Sequence, residues 1–196
     1  MPKAAVPLTP AQQAALAAVQ AARETHEAAH TGADSTASRD AALRQAADQL
    51  ADARLAYARA FDADTPEHAS ELGELCLEEA GARFQLQDDQ VALGLDRLAC
   101  DWLRSAMLNQ VTAANVLKLV VAYRALAAAA AVTNRTGEAR LAAGTGLALA
   151  ATAVNQWPEV ADFDSEQAAF EDLCDRLGGD CTVFASDDPL SWPFED

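Results

Sequence analysis

The sequence predicts an all-α fold, about seven helices folded back on one another as antiparallel hairpins, ending in an irregular acidic tail. Three observations carry this expectation. Alanine dominates the 196 residues, while Gly (9) and Pro (7) are few and β-branched residues sparse, a balance that favours helix over strand. Apolar side chains recur at three- and four-residue spacing through most of the chain. Polar turn signals such as Thr65-Pro66, Asp88-Asp89 and Thr136-Gly137-Glu138 interrupt that periodicity.

Residues 1–9 read as an arm, 10–178 as a single helical domain and 179–196 as the tail. Thr9-Pro10-Ala11-Gln12 opens the first helix: Thr9 caps it, Pro10 occupies the first turn at no cost, and Gln12 completes a capping box. It runs to about His30, with Leu16 and Val19 on a modest apolar face. After a loop at Thr31–Ala37, Ser38 opens a second helix reaching Phe61. Leu43, Ala47, Leu50, Arg54, Tyr57 and Phe61 form its seam, with Arg54 snorkelling or paired to a carboxylate.

Thr65-Pro66-Glu67 repeats the opening signal of the first helix. The third helix turns Leu72, Leu75, Cys76, Ala80 and Phe84 inward and Glu71, Glu74, Glu78 and Glu79 outward as a solvated face. Asp88-Asp89 starts the fourth, with Val91, Leu95, Leu98 and Trp102 in phase and Leu103 and Met107 broadening the face. Two strongly apolar helices follow, started by Thr112 and by Thr136-Gly137-Glu138 and stopped by Trp157-Pro158. Val116, Val120, Tyr123, Ala127 and Ala130 recur at helical spacing in the first of them. Lys118 and Arg124 interrupt that run, and the second is too short to span a bilayer, so the pair reads as a helical core rather than a membrane anchor. Asp164 caps a seventh helix, with Gln167 placed to reach back, and Gly178-Gly179 ends it.

Of 30 acidic and 14 basic residues, 12 acidic and 1 basic lie beyond residue 158. A net charge of −16 disfavours direct binding to nucleic-acid phosphates and suits a basic protein partner. The four cysteines form no CxxC pair, and the first residues lack the apolar run of a signal peptide. A reducing cytoplasm is the expectation, with the cysteines packed as small apolar residues.

The helices pair as 10–30 with 38–62, 66–86 with 89–108 and 113–132 with 137–155, a period of roughly fifty residues. Small residues sit where such helices would approach closely: Ala80, Gly81 and Gly94, then Ala129, Ala130 and Ala143. With polar turns such as Asn134–Glu138, this organisation resembles the tetratricopeptide-type helical-hairpin superfamily over about residues 38–157. The resemblance implies peptide or protein binding on a concave face and transfers no catalytic residue.

One motif has a catalytic look. His26-Glu27-Ala28-Ala29-His30 matches HExxH, in which two imidazoles on one helical face hold zinc and the glutamate polarises its bound water. The only other histidine is His68, no downstream ligand helix follows, and no strand pattern provides the sheet that zinc peptidases place above this helix. The competing reading is two exposed histidines near a helix C-terminus, where positive charge is favoured. That reading assigns no catalytic residue, metal or cofactor.

The expectation is therefore a non-enzymatic interaction protein binding another protein, with neither nucleic acid nor membrane as partner. Candidate partner-binding residues are Glu71, Glu74 and Glu78 with Trp192 and Phe194 of the tail, the aromatics as anchors and the acids as long-range attraction. An acidic inhibitor or immunity-type protein covering a basic surface is one alternative. A zinc hydrolase using His26, Glu27 and His30 is another. Leu55, Leu103 and Leu149, read as exposed, make a second copy of the chain a further candidate partner.

Overall fold

A computed structural model describes residues 7–31, 36–178 and 181. Among these residues there are seven helices and no strand: α1 Pro10–Thr31, α2 Thr36–Ala60, α3 Pro66–Gln85, α4 Asp89–Asn109, α5 Ala113–Val132, α6 Thr136–Gln156 and α7 Asp162–Arg176. The fold is all-α, as the periodicity requires.

Local chemistry sets the helix ends. At α1 the capping box forms: the Thr9 amide donates to Gln12 Oε1 (2.9 Å) and the Gln12 amide donates to Thr9 Oγ1 (3.2 Å). Thr112 caps α5 by accepting from the Asn115 amide (3.2 Å). The similar signal at Thr65 has a different outcome. Its hydroxyl donates to the Asp62 carbonyl (3.3 Å) instead, closing the preceding turn, and gives α3 no side-chain cap. At α7 the helix begins at Asp162, so Asp164 lies within the first turn rather than capping it. Gln167 accordingly points forward to Glu171 (3.0 Å).

Each helix packs on its neighbours in the chain, and α5 also touches α3 and α7. The odd-numbered helices thus lie along one side of the stack and the even-numbered ones along the other. Two main apolar clusters result. One joins α1, α2 and α3 through Val19, Leu50, Tyr57, Leu72 and Leu75. The larger surrounds α5 and takes in Leu93 and Leu103 of α4, Ala143 of α6, and Phe163 and Phe170 of α7. By length and composition α5 is apolar enough to cross a membrane. Here it lies at the centre of the larger cluster, with Lys118 and Arg124 bonded to carboxylates of α3 and α7.

Several sequence expectations change. Leu103 and Leu149 are buried, and of the three leucines read as exposed only Leu55 is. Leu16, Phe84 and Val91, read as inward-facing, are exposed. The buried face of α4 keeps Leu95, Leu103 and Met107 and adds Ala92, Leu93, Asp96, Ala99, Cys100 and Ala106, because small side chains define much of the contact and hydropathy underweights them. Gly81 and Gly94 do not mark close approach, since a Cβ at either meets nothing within 4 Å. The glycines that do are Gly73 against Leu103, Gly144 against the Cys181 carbonyl and Gly146 against the Phe170 ring.

Candidate functional site

The side of the stack formed by α1, α3, α5 and α7 carries most of the interhelical charge. Arg23 of α1 reaches Glu71 (2.9 Å), Glu74 (3.7 Å) and Glu78 (2.9 Å) on α3, and Lys118 of α5 pairs with Glu74 and donates to Ser70 Oγ (2.9 Å). Further along, Arg124 of α5 meets Glu166 of α7 (2.7 Å). The glutamate row of α3 is therefore not a solvated face. Glu71, Glu74 and Glu78 are each about a quarter exposed, and Glu79 is buried against Arg54 of α2 (3.0 Å). Burial pushes the Glu78 carboxyl up against the pull of Arg23. These carboxylates already hold the helices to one another.

Between α3 and α5 the stack opens into a pocket of about 270 Å³. Leu77, Ala80, Gly81 and Phe84 line it from α3, Val121, Ala125 and Ala128 from α5, and Asp96 from α4 behind them. Lys118 pairs with Glu74, and the pocket lies further along both helices, lined by residues 77–84 of α3 and 121–128 of α5, so the two helices run side by side in the same direction. The opening follows from side-chain size: Ala80, Gly81, Ala125 and Ala128 are too small to close the gap.

Asp96 is 4% exposed and makes no hydrogen bond or ion pair among the described residues. Burial pushes its carboxyl up to about 7. Sequence reasoning passed over it. The available signal was position: Ala92, Leu93, Ala99 and Cys100, three and four residues to either side, are all buried. An aspartate in the middle of an apolar stripe faces the helix contacts rather than the outer surface.

The HExxH residues lie at the C-terminal end of α1. The Nε2 atoms of His26 and His30 approach to 3.1 Å, close enough for one neutral imidazole to donate to the other. Burial and then the neighbouring His30 lower the His26 pKa, and Glu27 is exposed. No group of three His, Cys, Asp or Glu side chains suited to a metal ion occurs among the described residues. Trp192 and Phe194 lie outside the described residues. Neither the family models, the curated proteins nor the solved structures compared with this chain match it. The likeness to tetratricopeptide-type proteins therefore rests on the residues quoted for it alone.

Proposed function

We propose that the chain is a non-enzymatic interaction protein, a stack of helical hairpins that binds a basic partner protein through an acidic face. The observation that carries this reading is the contrast between α3 and α7. Glu71, Glu74 and Glu78 of α3 are paired within the chain, whereas α7 presents Asp162, Asp164, Glu171, Asp172 and Asp175 to solvent. Arg176 bonds only Asp172, and Asp162, Asp164 and Asp175 make no ion pair among the described residues. Phe163 and Phe170 hold the opposite face of α7 in the core, so the helix presents these carboxylates without any rearrangement of its backbone. The tail residues Trp192 and Phe194 supply apolar anchors beyond this helix. An inhibitor that covers a basic surface would use the same chemistry, and differs in that the bound partner loses its own activity.

The test is affinity capture from native cells with mass-spectrometric identification, comparing the wild type with Asp162→Asn/Asp164→Asn/Glu171→Gln/Asp175→Asn. A basic protein should be retained at about 0.1 M salt, where the Debye length is about 10 Å, and released near 1 M, where it is about 3 Å. The neutralised variant should fail to retain it. Capture unaffected by both salt and neutralisation would refute the acidic-face reading.

A further inference from the structure

Four polar side chains are buried in the described bundle, and three of them are answered within the chain. Ser70 accepts from Lys118, Glu79 is held by Arg54, and Thr145 donates to the Leu141 carbonyl. Asp96 is the exception, and it is also the only charged or hydrogen-bonding side chain in the lining of the α3–α5 pocket. A buried carboxyl with no partner is rare in folded proteins and calls for an explanation. Its oxygens are not among the buried polar atoms sealed from solvent, so they open into the pocket.

The geometry points to a binding site for a small organic ammonium ion, a protonated amine carried on an apolar body, with Asp96 as its counter-ion and the α3–α5 walls around the body. Charge selects the cation. Glu78, Glu79, Glu138 and Glu166, the half-buried or buried carboxylates at helix interfaces, each meet an arginine, so a positive charge is what Asp96 lacks. The walls select the rest of the ligand. Leu77, Val121 and the alanines offer no hydrogen bond to a diamine, a sugar or a hydrated metal ion. The exposed ring of Phe84 at the rim adds a flat apolar surface and a cation–π partner.

Size narrows the class further. A volume of about 270 Å³ lies at the small end of ligand pockets and suits a fragment-sized amine rather than a folded peptide segment. The net charge of −16 raises the local concentration of any such cation. This site is formed by α3, α4 and α5 and is independent of the acidic face of α7, so either assignment can fail without the other.

The full-length protein is titrated with 2-phenylethylammonium, which has nine heavy atoms, and with its neutral isostere 2-phenylethanol, following binding by calorimetry or by amide chemical shifts. The amine should bind at least about tenfold more tightly than the alcohol, and Asp96→Asn should cost the amine at least about tenfold. Gly81→Leu should abolish binding by filling the pocket. A Cβ there meets nothing within 4 Å, so the helix accepts the change, and an unaltered circular dichroism spectrum verifies that it has. Equal affinity for amine and alcohol overturns the assignment, as does unchanged binding by Asp96→Asn. So does the absence of amine binding up to about 10 mM. Nα-acetyl-lysine methylamide serves as the arm for a lysine presented by a protein. If it binds more tightly than the free amine, the site belongs to a partner's side chain and the free-ligand assignment falls.

Discussion

At the scale of single residues, Asp96 has a consequence for stability that is separable from any ligand. Its folded-state carboxyl titrates at about 7, above the ordinary aspartate value of about 4, so the native state holds a proton that the unfolded chain releases. Stability should therefore fall as pH rises from about 4 to about 7 and level off beyond, by on the order of 4 kcal/mol from this group. The thiols that feel its charge, Cys76 of α3 and Cys100 of its own helix, are pushed up by burial and stay neutral across that window. Glu78 and Asp101, also raised by burial, add slopes of the same sign, which is why a single substitution is needed to isolate the effect. Urea unfolding at pH 5 and pH 8 should show Asp96→Asn gaining a few kcal/mol on the wild type between the two. Parallel profiles would mean that Asp96 ionises without cost. Glycine gives a second residue-scale contrast. Gly144-Thr145-Gly146 reads in the sequence as an isolated Gly-x-Gly inside a helix, because its reason lies 24 residues further on, where Phe170 lands on Gly146. Gly146→Ala would overlap that ring and should cost about 1–3 kcal/mol, read as a lower thermal midpoint. Gly81→Ala faces open space in a helix interior and should instead gain about 0.5–1 kcal/mol. A partner distant in sequence is what a local pattern cannot supply, which is why Gly146 was not legible, whereas Asp96 stood within a local stripe of Ala92, Leu93, Ala99 and Cys100 that does mark it as buried.

At the scale of elements, the helix boundaries were the most legible part of the chain, because capping is local chemistry. The Thr9–Gln12 box needs only a four-residue span and forms as read. Thr65-Pro66 repeats the opening, but the residue three further on is His68 instead of a glutamine or glutamate, so no reciprocal box closes and the Thr65 hydroxyl donates to the Asp62 backbone carbonyl. The turn after α3 shows a feature that periodicity does not reveal. Gln87 adopts φ 61° while its amide donates to the Phe84 carbonyl (3.0 Å) and the Asp88 amide donates to the Arg83 carbonyl (3.0 Å). This is the Schellman arrangement, which favours glycine at the left-handed position. Asn134 occupies the equivalent place after α5, where its short polar side chain tolerates the conformation better than glutamine does. Gln87→Gly should accordingly stabilise the protein by about 1 kcal/mol, and Asn134→Gly by less, as measured by thermal or urea unfolding of each variant. A loss of stability in Gln87→Gly would mean that its side chain makes a contribution exceeding the backbone strain.

At the scale of the whole molecule, each helix depends chiefly on those next to it in the chain, and the apolar interior is divided accordingly. Val19, Leu50, Tyr57 and Leu72 belong to one cluster, while Leu119, Tyr123, Phe163 and Phe170 belong to another. The hairpin pairing visible in the sequence already implied nearest-neighbour packing; the division into two clusters did not follow from it, because α3 contributes to both sides. Leu72 and Leu75 turn towards α1 and α2, and Leu77 packs on the larger cluster around α5. In such an array stability is a sum of local contributions rather than one indivisible quantity. Leu50→Ala removes a fully buried side chain from the first cluster and should cost about 2–5 kcal/mol there. Followed by native-state hydrogen exchange, the amides of α1 and α2 should lose protection while those of α5 and α6 keep theirs. The ion pairs of Arg23 with Glu71, Glu74 and Glu78 lie within the first cluster's helices, and the pair that continues from Glu74 to Lys118 of α5 is partly exposed and holds the two ends together only weakly. If α5 and α6 lose protection in step with α1 and α2, the two clusters open as one unit and α3 transmits the whole of the damage.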